Sequence, residues 1–308
     1  MVEYAARRMI WMIPVLLAVS LITFTLIHLV PGDPCNPDPG QHPIPPIAES
    51  SCKEKYGLDQ PLFIQYTHYL ANVLQGDFGV SLFDSRTVNE IIVDDFPVSA
   101  AFGLGALLIG LGLGIPLGLY CAARRNSTID RLCTVLTMLI IATPSFVFAI
   151  LLIFLFAGTL HLVTVLFYRD QWQSWLLPLA LLGMRIVALV QRFVRAGVLE
   201  ILYSDYIRTA HSKGLKQTTV YVRHVLRNGL LPLLTLLGPL AADLLTGSFI
   251  IESIFGIPGL GHAFVISVVE RDYPLLMGVT LFFALLLFTF NLIVDLSYPL
   301  VDPRMAYR

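Results

Sequence analysis

Six apolar runs, each near the length needed to cross a bilayer, constrain this chain more than any other feature. They are Met9 to Val30, Val98 to Ala122, Leu132 to Phe156, Trp175 to Val194, Gly229 to Ile251 and Pro274 to Tyr298. About 20 residues of helix, rising ~1.5 Å each, cover ~30 Å of hydrocarbon. Hydrophobic residues make up 56% of the chain and charged residues 13%, against about 25% charged in soluble domains, and the mean hydropathy is +0.76. A transmembrane barrel would need strands of about ten residues with alternating polarity. The run from Leu104 to Leu113, Leu-Gly-Ala-Leu-Leu-Ile-Gly-Leu-Gly-Leu, has none. The expected fold is an all-α integral membrane protein with six transmembrane helices.

Arg7 and Arg8 precede the first run, as in a secretory signal, but no small-x-small cleavage site follows before Pro31. A retained first helix is expected. Arg7, Arg8, Arg124, Arg125, Arg131, Arg192, Arg195, Arg208, Lys213, Lys216, Arg223, Arg227, Arg304 and Arg308 fall in alternate connections, and Lys53, Lys55, Arg86, Arg169 and Arg271 fall in the others. The positive-inside bias places the first set in the cytoplasm with both termini. The expected location is the plasma membrane, multi-pass, in contact with membrane lipids and not with nucleic acid. The formal net charge of −1 adds nothing; its distribution does. The organisation expected is an N-terminal tail and first helix (1–30), an extracytoplasmic segment (31–97), a core of five helices (98–298) and a cytoplasmic tail (299–308).

Residues 31–97 are too polar to span a membrane and include Pro43, Pro45 and Pro46. Apolar side chains at Leu62, Tyr66, Tyr69, Leu70, Val73 and Leu74 have helical spacing, which predicts one helix lying on the membrane face. It would serve as a platform for a substrate-delivering protein or as a lid over helix ends; the sequence leaves both open. Cys35 and Cys52 share this external side, where thiols can stay oxidised, and the loop between them is short enough to close. A disulfide is predicted there. Cys121 and Cys133 lie near cytoplasmic helix ends and are expected to be reduced. The four cysteines have no CxxC spacing or paired histidine, so no metal site is expected.

A membrane enzyme is the rival class, and it needs a nucleophile with a base, a metal set or a carboxylate pair. The seven histidines are scattered, and His211 and His224 come nearest to a metal spacing. No phosphate-cradling G-x-x-x-x-G-K-S/T loop occurs, and the glycines from Gly103 to Gly118 sit in an apolar run where they permit close packing. No catalytic residue and no cofactor are expected in this chain. Arg185, Asp243 and Asp295 lie within apolar runs, where a charge usually faces a partner or a wet cavity. Each is a candidate for a solute path. The alternatives are pairing within the bundle for Arg185 and holding the Tyr298 to Arg304 tail for Asp295.

Between the fourth and fifth runs lies a polar, basic stretch, Asp205-Tyr-Ile-Arg-Thr-Ala-His-Ser-Lys-Gly214 followed by Arg223-His-Val-Leu-Arg-Asn-Gly-Leu-Leu-Pro232. Ser204 or Asp205 can cap a short helix, Gly214 suits its left-handed end, and Thr218 can start a second helix. Helix, glycine break and helix make a lever. The spacing resembles the cytoplasmic EAA loop of ABC importer permeases, with Arg208-Thr209-Ala210 and Gly214 on the Glu-Ala-Ala and glycine positions. The departure at the first two positions, with the fuller wording, is similar to the dipeptide and oligopeptide branch.

Further motifs similar to that branch follow in order: Pro31-Gly-Asp-Pro34, Tyr56-Gly-Leu-Asp59, Gly76-Asp-Phe-Gly79, Thr143-Pro-Ser-Phe146, Glu252 to Gly261, Arg271-Asp-Tyr-Pro274 and Asp302-Pro-Arg304. They favour the first of its two permease subunits. The resemblance implies a type I ABC importer permease fold, a second homologous permease, two cytoplasmic ATPase domains holding ATP and Mg, and an extracytoplasmic substrate-binding protein. It implies that the loop over 205–228, with Asp205, Arg208, Thr209, Ala210, Lys213, Gly214, Lys216, Arg223 and Arg227, docks on an ATPase. Glu252, Phe255, Pro258, Gly259 and Gly261 would shape an outer gate or a binding-protein dock, with a plain turn as the alternative. Asp243 departs from the mostly apolar pattern of the family. The implied cargo is dipeptides or short oligopeptides, with nickel, glutathione or haem as same-branch alternatives. A scaffold or enzyme independent of ATPases is the reading outside the class.

Overall fold

The computed structural model describes residues 2–35, 46–214, 220 and 225–301. The principal helices are α1 (Val2–Leu29), α2 (Pro46–Tyr56), α3 (Leu62–Leu74), α4 (Val88–Ala123), α5 (Thr128–Ala142), α6 (Ser145–Leu152), α7 (Gln173–Leu202), α8 (Asp205–Ser212), α9 (Leu231–Leu245), α10 (Phe249–Phe255), α11 (Leu260–Val269) and α12 (Tyr273–Val301). Val80 and Thr87 form an isolated β-bridge. Among the described residues five helices are long and apolar enough to cross a membrane, six if one bent pair of helices counts as a single span. The chain is an all-α membrane protein.

Three of the expected runs take a different form. The second does not begin at Val98. Thr87 starts α4 with a capping box, its hydroxyl accepting from the Glu90 amide at 3.2 Å while Glu90 Oε2 accepts from the Thr87 amide at 3.0 Å. The last ten residues assigned to the external segment are therefore the first turns of a 36-residue helix, ~54 Å long. The third run breaks at Thr143-Pro144, and the flanking pieces meet at 104°. A proline pushes the residue before it out of the helical region, and Thr143 sits at φ −86°, ψ 130°. Beyond α6 the chain widens into a π-helical stretch, Ile153–Thr159. The fifth run breaks at Thr246-Gly247-Ser248, where Gly247 has a φ of +88°.

The centre of the fold is the packing of α4 on α7. Gly110, Gly114 and Gly118 form one stripe of α4, and a Cβ there would meet Ile186, Val190 and Val194 of α7 at 2.1, 2.8 and 2.7 Å. Without side chains the stripe lets the two backbones approach, the usual solution where lipid supplies no hydrophobic drive for helix association. Helix α9 lies against both, and α12 closes the bundle beside α9 and α1. Phe24 and Ile27 of α1 pack on Leu276 and Met277 of α12, and Arg8 Nη1 pairs with Asp295 Oδ2 at 2.5 Å.

The segment between α1 and α4 is tied down at both ends. Cys35 and Cys52 stand at disulfide distance, S–S 2.04 Å with Cα atoms 5.9 Å apart, and Lys53 Nζ reaches Asp33 at 2.5 Å and Glu49 at 2.6 Å. The predicted helix is present as α3, with Tyr66 and Tyr69 against the α1–α12 contact. At the far end Asp272, in the turn before α12, accepts from Ser81 Oγ at 2.5 Å and from the amides of Leu82 and Leu275. Burial pushes the Asp272 carboxyl above its ordinary pKa, and those hydrogen bonds offset part of that rise.

Candidate functional site

Both helix breaks open onto one cavity of about 320 Å³. Thr143 and Ser145 line it from the α5–α6 break, Gly247 and Ser248 from the α9–α10 break, and Arg185 and Asp243 from the helices α7 and α9. The rest of its wall is apolar, with Ile186, Leu240, Leu244 and Ile251 among its residues. Non-helical backbone within a span is tolerated only where protein buries it or water reaches it, and both breaks face this cavity.

The side chains of Arg185 and Asp243 are exposed in the isolated chain, and no ion pair among the described residues involves either. An Arg or Asp at the centre of a span costs about 2.5–3.5 kcal/mol on insertion scales. Such groups require water or a second protein. Of the three charges singled out from sequence, these two share the cavity; Asp295 does not, being paired with Arg8 between α1 and α12. The tail beyond Val301 that Asp295 was expected to hold lies outside the described residues.

The loop predicted to dock a partner begins as a helix, α8, and Gly214 follows at φ +74°. The Ser204 hydroxyl donates back to the Ile201 carbonyl at 2.6 Å. Asp205, Thr209 and Lys213 are exposed. Arg208, Ala210 and Arg227 lie on described backbone, whereas Lys216 and Arg223, with the start of the second helix expected from Thr218, lie outside the described residues; the end of that helix is helical over Leu226–Gly229. Ile207 points inward, 2% exposed, and joins Val220, Val225, Val198, Val194 and Val190 in one apolar column that continues to Ile186, Leu240 and Leu244. Those last three residues also line the cavity. The loop and the cavity thus share a continuous packed core.

One anchor of this region joins Arg195, read from sequence only as a cytoplasmic cation, to Asp130, a residue not picked out there. Arg195 near the end of α7 donates from Nε and Nη2 to Asp130 at 2.6 and 2.9 Å, and the Asn126 amide adds a third bond at 2.9 Å. Asp130 is 2% exposed. Ser127 caps α5 through the Asp130 amide, and that Ser-Thr-Ile-Asp pattern was a readable signal.

At the other end of the bundle Glu252 is also 2% exposed. It accepts from Ser99 Oγ at 2.9 Å and from the His262 amide at 3.0 Å, while Ser99 Oγ accepts from the Leu260 amide at 2.9 Å. Gly259 and Gly261 crowd the same carboxylate, Phe255 is fully buried and Pro258 is exposed. The turn from α10 to α11 is folded around Glu252 and held to α4 by Ser99, a partner that no sequence motif marks.

Residues 114–307 match the family model described as binding-protein-dependent transport system inner membrane component, and residues 1–103 match its N-terminal companion. The chain is 40% identical to the dipeptide transport system permease protein DppB of Bacillus subtilis, over 99% of this chain and 98% of that protein. It is 36% identical to the oligopeptide transport system permease protein OppB of Haemophilus influenzae and 35% identical to the glutathione transport system permease protein GsiC of Escherichia coli K12, in each case over 100% of both chains. With the family model covering the bundle, its companion the first helices and relatives matching end to end, this chain belongs to the binding-protein-dependent transport system inner membrane component family.

Proposed function

We propose that this chain forms half of the translocation path of an ATP-driven importer for dipeptides or short oligopeptides. The observation that carries the reading is the cavity in which two broken helices, Arg185 and Asp243 meet within apolar spans. A peptide crosses a bilayer only through such a place, because its charges and amides cannot enter hydrocarbon unpaired. The names of the relatives point to the same cargo: dipeptides, oligopeptides and glutathione, itself a tripeptide.

In this reading the basic connections, including α8, face the cytoplasm. A second homologous permease completes the path, two ATPase domains hold ATP and Mg, and a binding protein delivers cargo from outside. ATP binding moves the chain only by favouring one conformation over another. The packed column from Ile207 to Ile186 and Leu244 supplies the physical route from an ATPase seated on the loop to the cavity wall. The Glu252 turn shapes the outer gate; with its carboxylate engaged by Ser99 and the His262 amide, the exposed Pro258 is left as its docking point.

The test is a mild-detergent pull-down from native membranes, with mass spectrometry of partners and ATPase activity measured with the binding protein, with and without dipeptides. A second permease, P-loop ATPases and stimulation by dipeptides are the expected result. Recovery of the chain alone, under conditions that preserve other ABC complexes, would overturn the importer.

A further inference from the structure

Resting on the importer reading, we propose that Asp243 and Arg185 select cargo by its two ends, Asp243 binding the N-terminal ammonium of a peptide and Arg185 its C-terminal carboxylate. Both side chains line one cavity, both are exposed, and they do not pair with each other within 4.0 Å or with any other described residue. Two opposite charges that do not pair, in a chamber whose wall is otherwise apolar but for three hydroxyls, leave each with an unmet partner. A small zwitterion supplies both partners at once.

Depth and size agree. Arg185 stands ~18 Å along α7 from Gln173 and Asp243 ~12 Å into the span that begins at Thr235, so neither reaches headgroups from its own turn. At about 320 Å³ the chamber is at the small end of ligand sites, which run from ~300 to ~1,000 Å³. Guanidinium suits a carboxylate because its planar fork can donate two parallel bonds, and an ammonium needs the anionic acceptor that Asp243 provides. Thr143, Ser145 and Ser248 on the same wall offer hydroxyls to the peptide amide between the ends. Side chains of the cargo would face the apolar remainder, which places no demand on their identity beyond bulk.

The experiment uses the complete complex carrying Leu182→Cys, a position in the same wall, and a dipeptide with a bromoacetyl group on its side chain. Labelling rates are compared for the free peptide, its N-acetylated form and its C-terminal amide. Asp243→Asn is expected to slow labelling by the free peptide about 10- to 100-fold, as loss of a charge-assisted bond does, and to leave the N-acetylated form unaffected. Arg185→Gln is expected to do the same for the free carboxylate and not for the amide, with Arg185→Lys restoring part of the rate. Equal slowing of free and blocked peptides, or none, overturns the proposal. So does dissociation of the permease pair in either variant, which would assign these charges to the subunit interface. Uptake of alanyl-alanine by the parent complex in proteoliposomes tests the importer reading separately: its absence sinks that reading, and its presence with labelling insensitive to blocked ends sinks only this one.

Discussion

Two single residues bear on how the bundle holds together. Asp130 accepts two bonds from Arg195 and one from the Asn126 amide while almost wholly buried. Removing one member of such a pair leaves the other's charge unmatched, at a cost of about 3–5 kcal/mol when fully buried. Arg195 retains 26% side-chain exposure, so Asp130→Ala should cost less than that and still lower the thermal midpoint of the purified protein by several degrees. An unchanged midpoint would show the pair to be dispensable. For Asp272 the sign follows from its raised pKa. The folded state holds the proton more tightly than the unfolded chain, so the contribution is greatest below the ordinary carboxylate value near 3.8 and is lost as pH rises through the folded value. Compared with Asp272→Asn, the native protein should therefore lose relative stability as pH is raised from the ordinary carboxylate value upward. Midpoints measured in parallel across that range check it; a constant gap would refute it.

At the scale of elements, the α4–α7 seam and the break after α8 make opposite uses of glycine. At Gly114 there is no room: an added Cβ would lie 2.8 Å from the Val190 side chain and 3.1 Å from the Val187 carbonyl. Gly114→Leu is expected to force the helices apart, with an overpacking cost of about 1–3 kcal/mol or more, and to reduce the yield of folded protein. At Gly214 an added Cβ would meet none of the described residues within 4 Å, and the φ of +74° is the constraint seen there. Gly214→Val should leave insertion and yield intact, strain the break by about 1–3 kcal/mol and uncouple ATP hydrolysis from uptake. Gly214→Asn, which tolerates the left-handed region, should keep more of the coupling. Equal uptake by the native protein and the valine variant would remove the lever from the mechanism.

Across the whole molecule, the apolar runs and their lengths were legible because hydrocarbon imposes a rule that every residue obeys separately: a span must be apolar and must satisfy its own backbone. The helix over Leu62–Leu74 and the glycine stripe of α4 follow from local periodicity, and the motif order around Asp205 to Gly214 pointed to the family. Thr143-Pro144 was read as a family motif within a continuous run, although a proline marks a probable helix boundary. The 104° turn there depends on what the two halves pack against. By itself the sequence determined an all-α membrane chain of this family, since composition, spacing and motif order are one-dimensional quantities. Only the tertiary structure decided that Arg185 and Asp243 line one chamber while Asp295 pairs with Arg8, and that Glu252 is locked by Ser99, 153 residues away in the chain. Those outcomes depend on which faces the helices turn toward one another, and the packing of α4, α7 and α9 sets them.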